Sequence, residues 1–181
     1  MISLFRRHGF QVTRAERLPI HHGQLRVWVQ REGEATPDET VDAVLRAEAD
    51  RHLDRLDTYE RFAHQVTQIK ISVNQLLGDL RAAGKKVAAY GAPAKGNTLL
   101  SYLGLGPDTI VYIVDRSPLK QGRYAPGTHI PVVAPDHLID DPPDYMVLLA
   151  WNFQDEILAQ QANYRRRGGK FIVPIPTVTV V

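Results

Sequence analysis

Lys86-Val87-Ala88-Ala89-Tyr90-Gly91-Ala92-Pro93-Ala94-Lys95-Gly96-Asn97-Thr98-Leu99-Leu100 is the stretch that decides the fold. Residues 86–90 are a short, mostly apolar run with the length of a buried strand. A turn carrying Gly91 and Pro93 follows, and the pattern after it predicts a helix through Leu103. Strand, glycine-bearing turn and helix in that order open a βαβ unit.

The alternation continues downstream. Residues 110–114 predict a second strand ending at Asp115, and 116–129 a loop rich in Pro, Gly and Lys. Residues 130–133 form a short strand that Pro131 confines to an edge or an end. One helical turn is expected over 135–138, a strand over 145–149, a helix over 154–167 closed by Gly168-Gly169, and strands over 170–173 and 178–181. Short apolar strands alternating with helices indicate a parallel sheet covered on both faces.

Upstream, Ser3 is placed to cap a short helix that Gly9 ends. Two strands follow, 10–18 and 24–30; in the second, Leu25, Val27 and Val29 alternate with polar residues and predict one buried face. Residues 31–36 read as a linker. Thr36-Pro37-Asp38-Glu39 predicts a helix start, with Thr36 as N-cap, Pro37 at the first helical position and Glu39 completing a capping box. Apolar residues at steps of three and four then run to about residue 83, and a second capping box at Asp57-Thr58-Tyr59-Glu60 predicts a break near 57. The fold class expected is α/β: a Rossmann-like, mostly parallel sheet with flanking helices, preceded by a long helix or helical hairpin and a short αββ segment. The expected divisions are 1–31, 32–84 and 85–181.

Candidate chemistry gathers at the carboxyl ends of the parallel strands, where open α/β sheets bind ligands. Gly91, Lys95, Gly96, Asn97 and Thr98 follow the first strand and open a helix, a place where backbone N–H groups and the helix dipole attract anions. The functional reading is a phosphate or pyrophosphate cradle; the alternative is a tight turn with an exposed lysine. Neither standard phosphate motif is matched, because Lys95 precedes the second glycine and G-x-G-x-x-G is absent. Asp115, ending the second strand, sits where a dinucleotide fold places a ribose-binding acid. Arg116, Lys120 and Arg123 bring three cations to the same edge, where a solvated loop is the competing reading. Trp151 follows the fourth strand and offers a ring to a base or sugar. Asn152 is read first as the N-cap of the next helix and second as a ligand contact. Arg165-Arg166-Arg167 and Glu156 suit the helix ends on which they fall. No catalytic set is evident.

The bulk properties exclude several classes. The 181 residues hold no cysteine, which removes disulfides and thiolate zinc sites, and the seven histidines are scattered apart from His21-His22, so no metal is expected. A net charge of +2 without a basic-aromatic stripe does not suit a nucleic-acid binder. No apolar run approaches the roughly 20 residues of a membrane span. The first residues are too short and too charged for a signal peptide, so a cytoplasmic location is expected.

Several segments together resemble a known family. These are 90–100, Asp115-Arg116-Ser117-Pro118-Leu119-Lys120-Gln121-Gly122-Arg123-Tyr124, Pro126-Gly127-Thr128-His129-Ile130-Pro131-Val132, Pro143-Asp144-Tyr145, Ala150-Trp151-Asn152-Phe153 and Gly168-Gly169-Lys170-Phe171-Ile172-Val173-Pro174-Ile175-Pro176. In this order they are similar to the C-terminal domain of the S-adenosylmethionine-dependent C-methyltransferases that branch nucleotide-linked deoxysugars. Upstream, Pro19-Ile20-His21-His22-Gly23-Gln24-Leu25-Arg26 resembles the His-Gly-Gly-Ser-Leu-Arg segment closing that family's methyltransferase domain, departing at His22 and Gln24. The resemblance covers nearly the whole chain. It implies a domain that helps to hold a thymidine diphosphate sugar, with Gly91, Lys95, Gly96, Asn97 and Thr98 as the best contacts and Arg123, Trp151 and Asn152 as weaker ones. It also implies that 1–31 is the end of a methyltransferase domain and 32–84 a helical linker. The family's zinc part, donor domain and proton-abstracting histidine and tyrosine would lie upstream of Met1. S-adenosylmethionine is then implied for the complete enzyme, not bound by this chain, and a separate methyltransferase-domain chain is a possible partner. The chain alone is expected not to methylate. Two rivals stand beside this reading. One is a binding or scaffold module using the 37–83 helical stripe as an interface, where packing on its own α/β domain is favoured. The other is an NAD(P)-dependent oxidoreductase, which Gly91 and Asp115 permit and the missing third glycine opposes.

Overall fold

The computed structural model describes residues 1–20 and 23–181, so His21 and His22 lie outside the described residues. The chain divides into two compact units, Met1–His64 and Gln65–Val181.

The first unit carries helix α1 (Ile2–Arg7), the antiparallel hairpin β1 (Phe10–Leu18) and β2 (Gln24–Arg31), helix α2 (Glu39–Asp50) and the start of α3 (Leu56–Ala82). The buried face expected on β2 belongs to β1 instead. Val12 and Ala15 are buried with Val41 of α2, whereas Leu25 is 37% exposed and Val27 and Val29 are only half-buried. A register shift between Val12 and Arg14 supplies the reason, since an inserted residue lets side chains three apart share one face.

The helix start also differs from expectation. Asp38, not Thr36, is the N-cap of α2, and its carboxylate accepts from Thr40 N at 3.0 Å. The Asp38 N–H is already committed to Thr13 O of β1 at 2.8 Å, and Ala15 N donates to Thr40 Oγ1 at 2.9 Å. These bonds pin the first turn to the strand and leave Thr36 and Pro37 outside it. The expected break falls at 51–55 rather than at 57. His52 N donates to Ala49 O and Leu53 N to Glu48 O, with His52 in the left-handed region at φ 52°. That is a Schellman ending with histidine in the usual glycine position. Asp57 lies in the first turn of α3, where Arg61 first and Arg55 second hold its carboxyl below the ordinary value.

The second unit is an α/β domain, as the alternation predicts. Its strands are β3 (Val87–Tyr90), β4 (Ile113–Val114), β5 (Val132–Val133), β6 (Tyr145–Leu148), β7 (Lys170–Val173) and β8 (Thr179–Val180), in the order β5-β4-β3-β6-β7-β8. All neighbours are parallel except β7 and β8. Bonds from Ala89 N to Tyr112 O and from Val111 N to Val87 O extend the β3–β4 ladder beyond the two regular residues of β4. β5, preceded by Pro131, is an edge strand.

Successive strand residues point to opposite faces and build two apolar layers. Val87, Ala89, Ile113, Val147 and Ile172 join Val73 and Leu77 of α3 and Leu99, Leu100 and Leu103 of α4 (Ala94–Leu103). Ala88, Tyr90, Val114, Met146, Leu148 and Phe171 join Leu138 of α5 (His137–Asp140), Ile157 of α6 (Gln154–Gln160) and Tyr164 of α7 (Ala162–Arg166). The single helix expected over 154–167 is thus two, preceded by a 3₁₀ turn at Trp151–Phe153, with Gln161 between them. The one-turn helix expected over 135–138 lies at His137–Asp140. Among the described residues, no helix is long and apolar enough to cross a membrane.

Candidate functional site

β3 is the first strand of the parallel set, and the chain goes to β4 on one side before crossing back to β6 on the other. The topological switch point therefore lies between β3 and β6, and their carboxyl ends open the crevice where such sheets take ligands. Two bonds mark the place: Gly91 N donates to Val114 O at 2.7 Å, and Leu149 N donates to Tyr90 O at 3.0 Å.

Helix α4 starts here. Its N-cap is Pro93, extended at φ −76° and ψ 159°, and no side chain caps it. Gly96 N and Asn97 N return to Pro93 O at 2.9 and 3.2 Å. No side chain caps the first turn of α4, and the Asp115 carboxylate takes the Ala92 N–H, just before the cap, at 2.6 Å.

Both glycines of the turn have packing reasons. Gly91 has φ +84°, and a Cβ there would stand 3.0 Å from Ala150 Cβ. At Gly96 a Cβ would stand 2.9 Å from Leu149 Cβ and 3.2 Å from Pro93 Cδ. The absent side chains let the start of α4 lie against the end of β6, the role of the third glycine in dinucleotide turns.

Lys95 is the cation of the crevice. Its Nζ donates to Asn152 Oδ1 and sits 4.3 Å from the centre of the Trp151 ring. No carboxylate among the described residues pairs with it within 4.0 Å, and burial lowers its pKa from the ordinary 10.5. An ammonium held by a neutral amide and a π face keeps its charge uncompensated. The ring is worth about 0.5–2 kcal/mol to it, and the bond to the Asn152 oxygen, made by a charged donor, about 1.5–3 kcal/mol. Asn152 is consequently not the N-cap of α6. That position is Phe153, and the Asn152 side chain is turned to Lys95 across the crevice.

Asp115 is buried, 8% exposed, and both of its oxygens are taken. Oδ2 accepts from Ala92 N at 2.6 Å and Lys120 Nζ at 3.3 Å, and Oδ1 accepts from Ser117 N at 2.8 Å. Lys120 Nζ also donates to Ala92 O at 3.0 Å, and Gln121 Nε2 to Asp115 O at 2.9 Å. The carboxylate thus ties the β3–α4 turn to the loop after β4 and does not stand free for a ribose. Lys120 and Gln121 were not legible as its partners, because loop residues five and six positions apart share no periodicity.

The remaining candidates separate. Asn97 Oδ1 is buried without a hydrogen-bond partner. Thr98 is exposed and its Oγ1 donates to Ala94 O of its own helix at 3.4 Å. Arg123 is exposed and its main chain is engaged, N to Lys120 O and O from Val132 N. On the other side of β3, Tyr90 is buried and its hydroxyl accepts from Gln161 Nε2 at 3.0 Å; burial raises its pKa.

The profile of the C-methyltransferase C-terminal domain matches residues 19–176. C-methyltransferase NovU of Streptomyces niveus is 35% identical over 184 residues, which cover 100% of this chain and 43% of that protein. The chain thus spans less than half the length of the curated relative it matches.

Proposed function

The chain belongs to the C-methyltransferase C-terminal domain family, and from that premise we propose that its Gln65–Val181 unit holds the nucleotide-sugar substrate of an S-adenosylmethionine-dependent C-methyltransferase. The diphosphate lies at the uncapped start of α4, bound by Lys95, with Asn152 beside it. The observation carrying this reading is a partly buried ammonium at the sheet's switch point, held by the Asn152 amide and the Trp151 ring and, among the described residues, by no carboxylate. The nucleotide and sugar come from the family resemblance, and the anion from the site's charge. Asp115 and Lys120 act through the turn they fix. On this reading the 181 residues hold the substrate and do not by themselves transfer a methyl group.

Isothermal titration with thymidine diphosphate tests this. Loss of one charge-assisted contact in Lys95→Ala weakens binding by about 1.5–3 kcal/mol, roughly 10- to 150-fold. S-adenosylmethionine gives no heat. Equal affinity in wild type and Lys95→Ala would reject the site.

A second reading, an interaction module, draws on the first unit. Leu56, Tyr59 and Phe62 follow one another at helical spacing and are 73%, 53% and 63% exposed. Light scattering that shows self-association lost in Phe62→Glu would favour it. The oxidoreductase reading is weakened by the commitment of Asp115.

A further inference from the structure

We infer that the face of the Trp151 indole that Lys95 covers is a subsite for a flat ring such as a nucleobase, and that it opens when an anion draws the ammonium away. The inference rests on the crevice being an anion site and goes beyond it, since it assigns a second ligand group and an order of events.

Trp151 packs against the apolar layers on both faces of the sheet. The ring is therefore held by the fold at the carboxyl edge of β6 and needs no ligand to place it. It is only half-buried, and Lys95 Nζ lies 4.3 Å from its centre. The second anchor of that ammonium is Asn152 Oδ1, a neutral acceptor. Neither partner carries charge, so a phosphate at the start of α4 outcompetes both. Lys95 stands in the first turn of α4, and rotation about its flexible stem is what would carry the ammonium toward the helix start. Its departure frees two things together: the π face of Trp151 and the acceptor of Asn152. A planar ring with an N–H on its edge uses both, by stacking and by donating. The ligand class is a nucleoside phosphate, in which anion and ring are one molecule and the anion opens the ring's place.

The chain has two tryptophans, so Trp28→Phe leaves Trp151 as the single reporter. Emission is followed while this variant is titrated with inorganic pyrophosphate, thymidine and thymidine diphosphate, with calorimetry in parallel. An ammonium against an indole quenches it, so pyrophosphate brightens Trp151. Thymidine diphosphate quenches it by stacking, and thymidine alone changes nothing at the concentration where the diphosphate saturates. In Lys95→Ala, and again in Lys95→Gln, the uncovered ring responds to thymidine alone, and pyrophosphate has no effect on emission. Pyrophosphate binding by calorimetry with Trp151 emission unchanged would overturn the covered subsite and leave the anion site standing. Absence of heat with every phosphate would overturn the anion site itself.

Discussion

The same substitution, glycine to alanine inside a helix, is predicted to act with opposite sign at Gly78 and Gly96. Gly78 lies within α3 with nothing within 4 Å of an added Cβ. Alanine there gains helix propensity and restricts the unfolded chain, a stabilisation of about 0.5–1 kcal/mol. Gly96 stands to gain the same amount, but its new methyl would meet Leu149 Cβ at 2.9 Å and Pro93 Cδ at 3.2 Å. Neither neighbour yields easily, because one is the root of a fully buried side chain and the other a ring. Overpacking costs about 1–3 kcal/mol, so Gly96→Ala is destabilised by up to about 2.5 kcal/mol and separated from Gly78→Ala by about 1–3 kcal/mol. Urea titration of both variants, followed by circular dichroism, reads the difference in midpoint. If Gly96→Ala matched Gly78→Ala, the close approach of α4 to β6 would be wrong, and with it the geometry that aims α4 at the crevice.

Three further outcomes are expected. Asp115→Ala leaves the N–H groups of Ala92 and Ser117 without their acceptor and lowers stability by about 2–4 kcal/mol in urea titration; a change below about 0.5 kcal/mol would contradict the clasp. Asp144 is held below the ordinary 3.8 by the Lys86 N–H and then by Lys85. A depressed folded-state pKa contributes stability that is complete above the unfolded value and lost as pH falls through the folded one. Wild type and Asp144→Asn should therefore differ at neutral pH and converge in acid, as thermal melts at several pH values will show. The pKa of Lys95 is lowered by burial, so its protonated form destabilises the fold at neutral pH, and that burden is relieved only as pH rises toward 10.5. Pyrophosphate affinity requires the proton and should decline as pH rises through the lowered value, starting below 10.5; calorimetry at several alkaline pH values would contradict this by finding no decline until 10.5 is passed.

The parallel sheet was legible because its strands are short apolar runs set off by turn residues, as Val87–Tyr90 and Tyr145–Leu148 illustrate. Pro131 marked the edge strand correctly. Helix ends were less legible. The ending of α2 places His52 where glycine usually signals a left-handed cap, so the sequence carries no stop signal there and the next capping pattern reads as the break. Asp38 prevailed over Thr36 through a main-chain bond to Thr13, a tertiary fact that no local pattern carries. At the site, residue types point to the carboxyl edge of the sheet, where Lys95, Trp151 and Asn152 do come together, but some individual roles differ. Asp115 reads as free and is internally bonded, and Asn152 reads as a cap and faces Lys95. Gly91 and Gly96 suggest room for phosphate, and their nearest would-be contacts are Ala150 and Leu149. Pairings across the crevice join residues as far apart as 95 and 152, which spacing along the chain cannot reveal.

The central claim is where the nucleotide binds. Amide chemical-shift mapping of the isotope-labelled chain during titration with thymidine diphosphate tests it most directly. The largest changes are expected at residues 91–98 and at the indole N–H of Trp151, with the Asn152 side-chain amide shifting alongside. Changes centred instead on residues 165–170, at the opposite edge of the sheet, would contradict it.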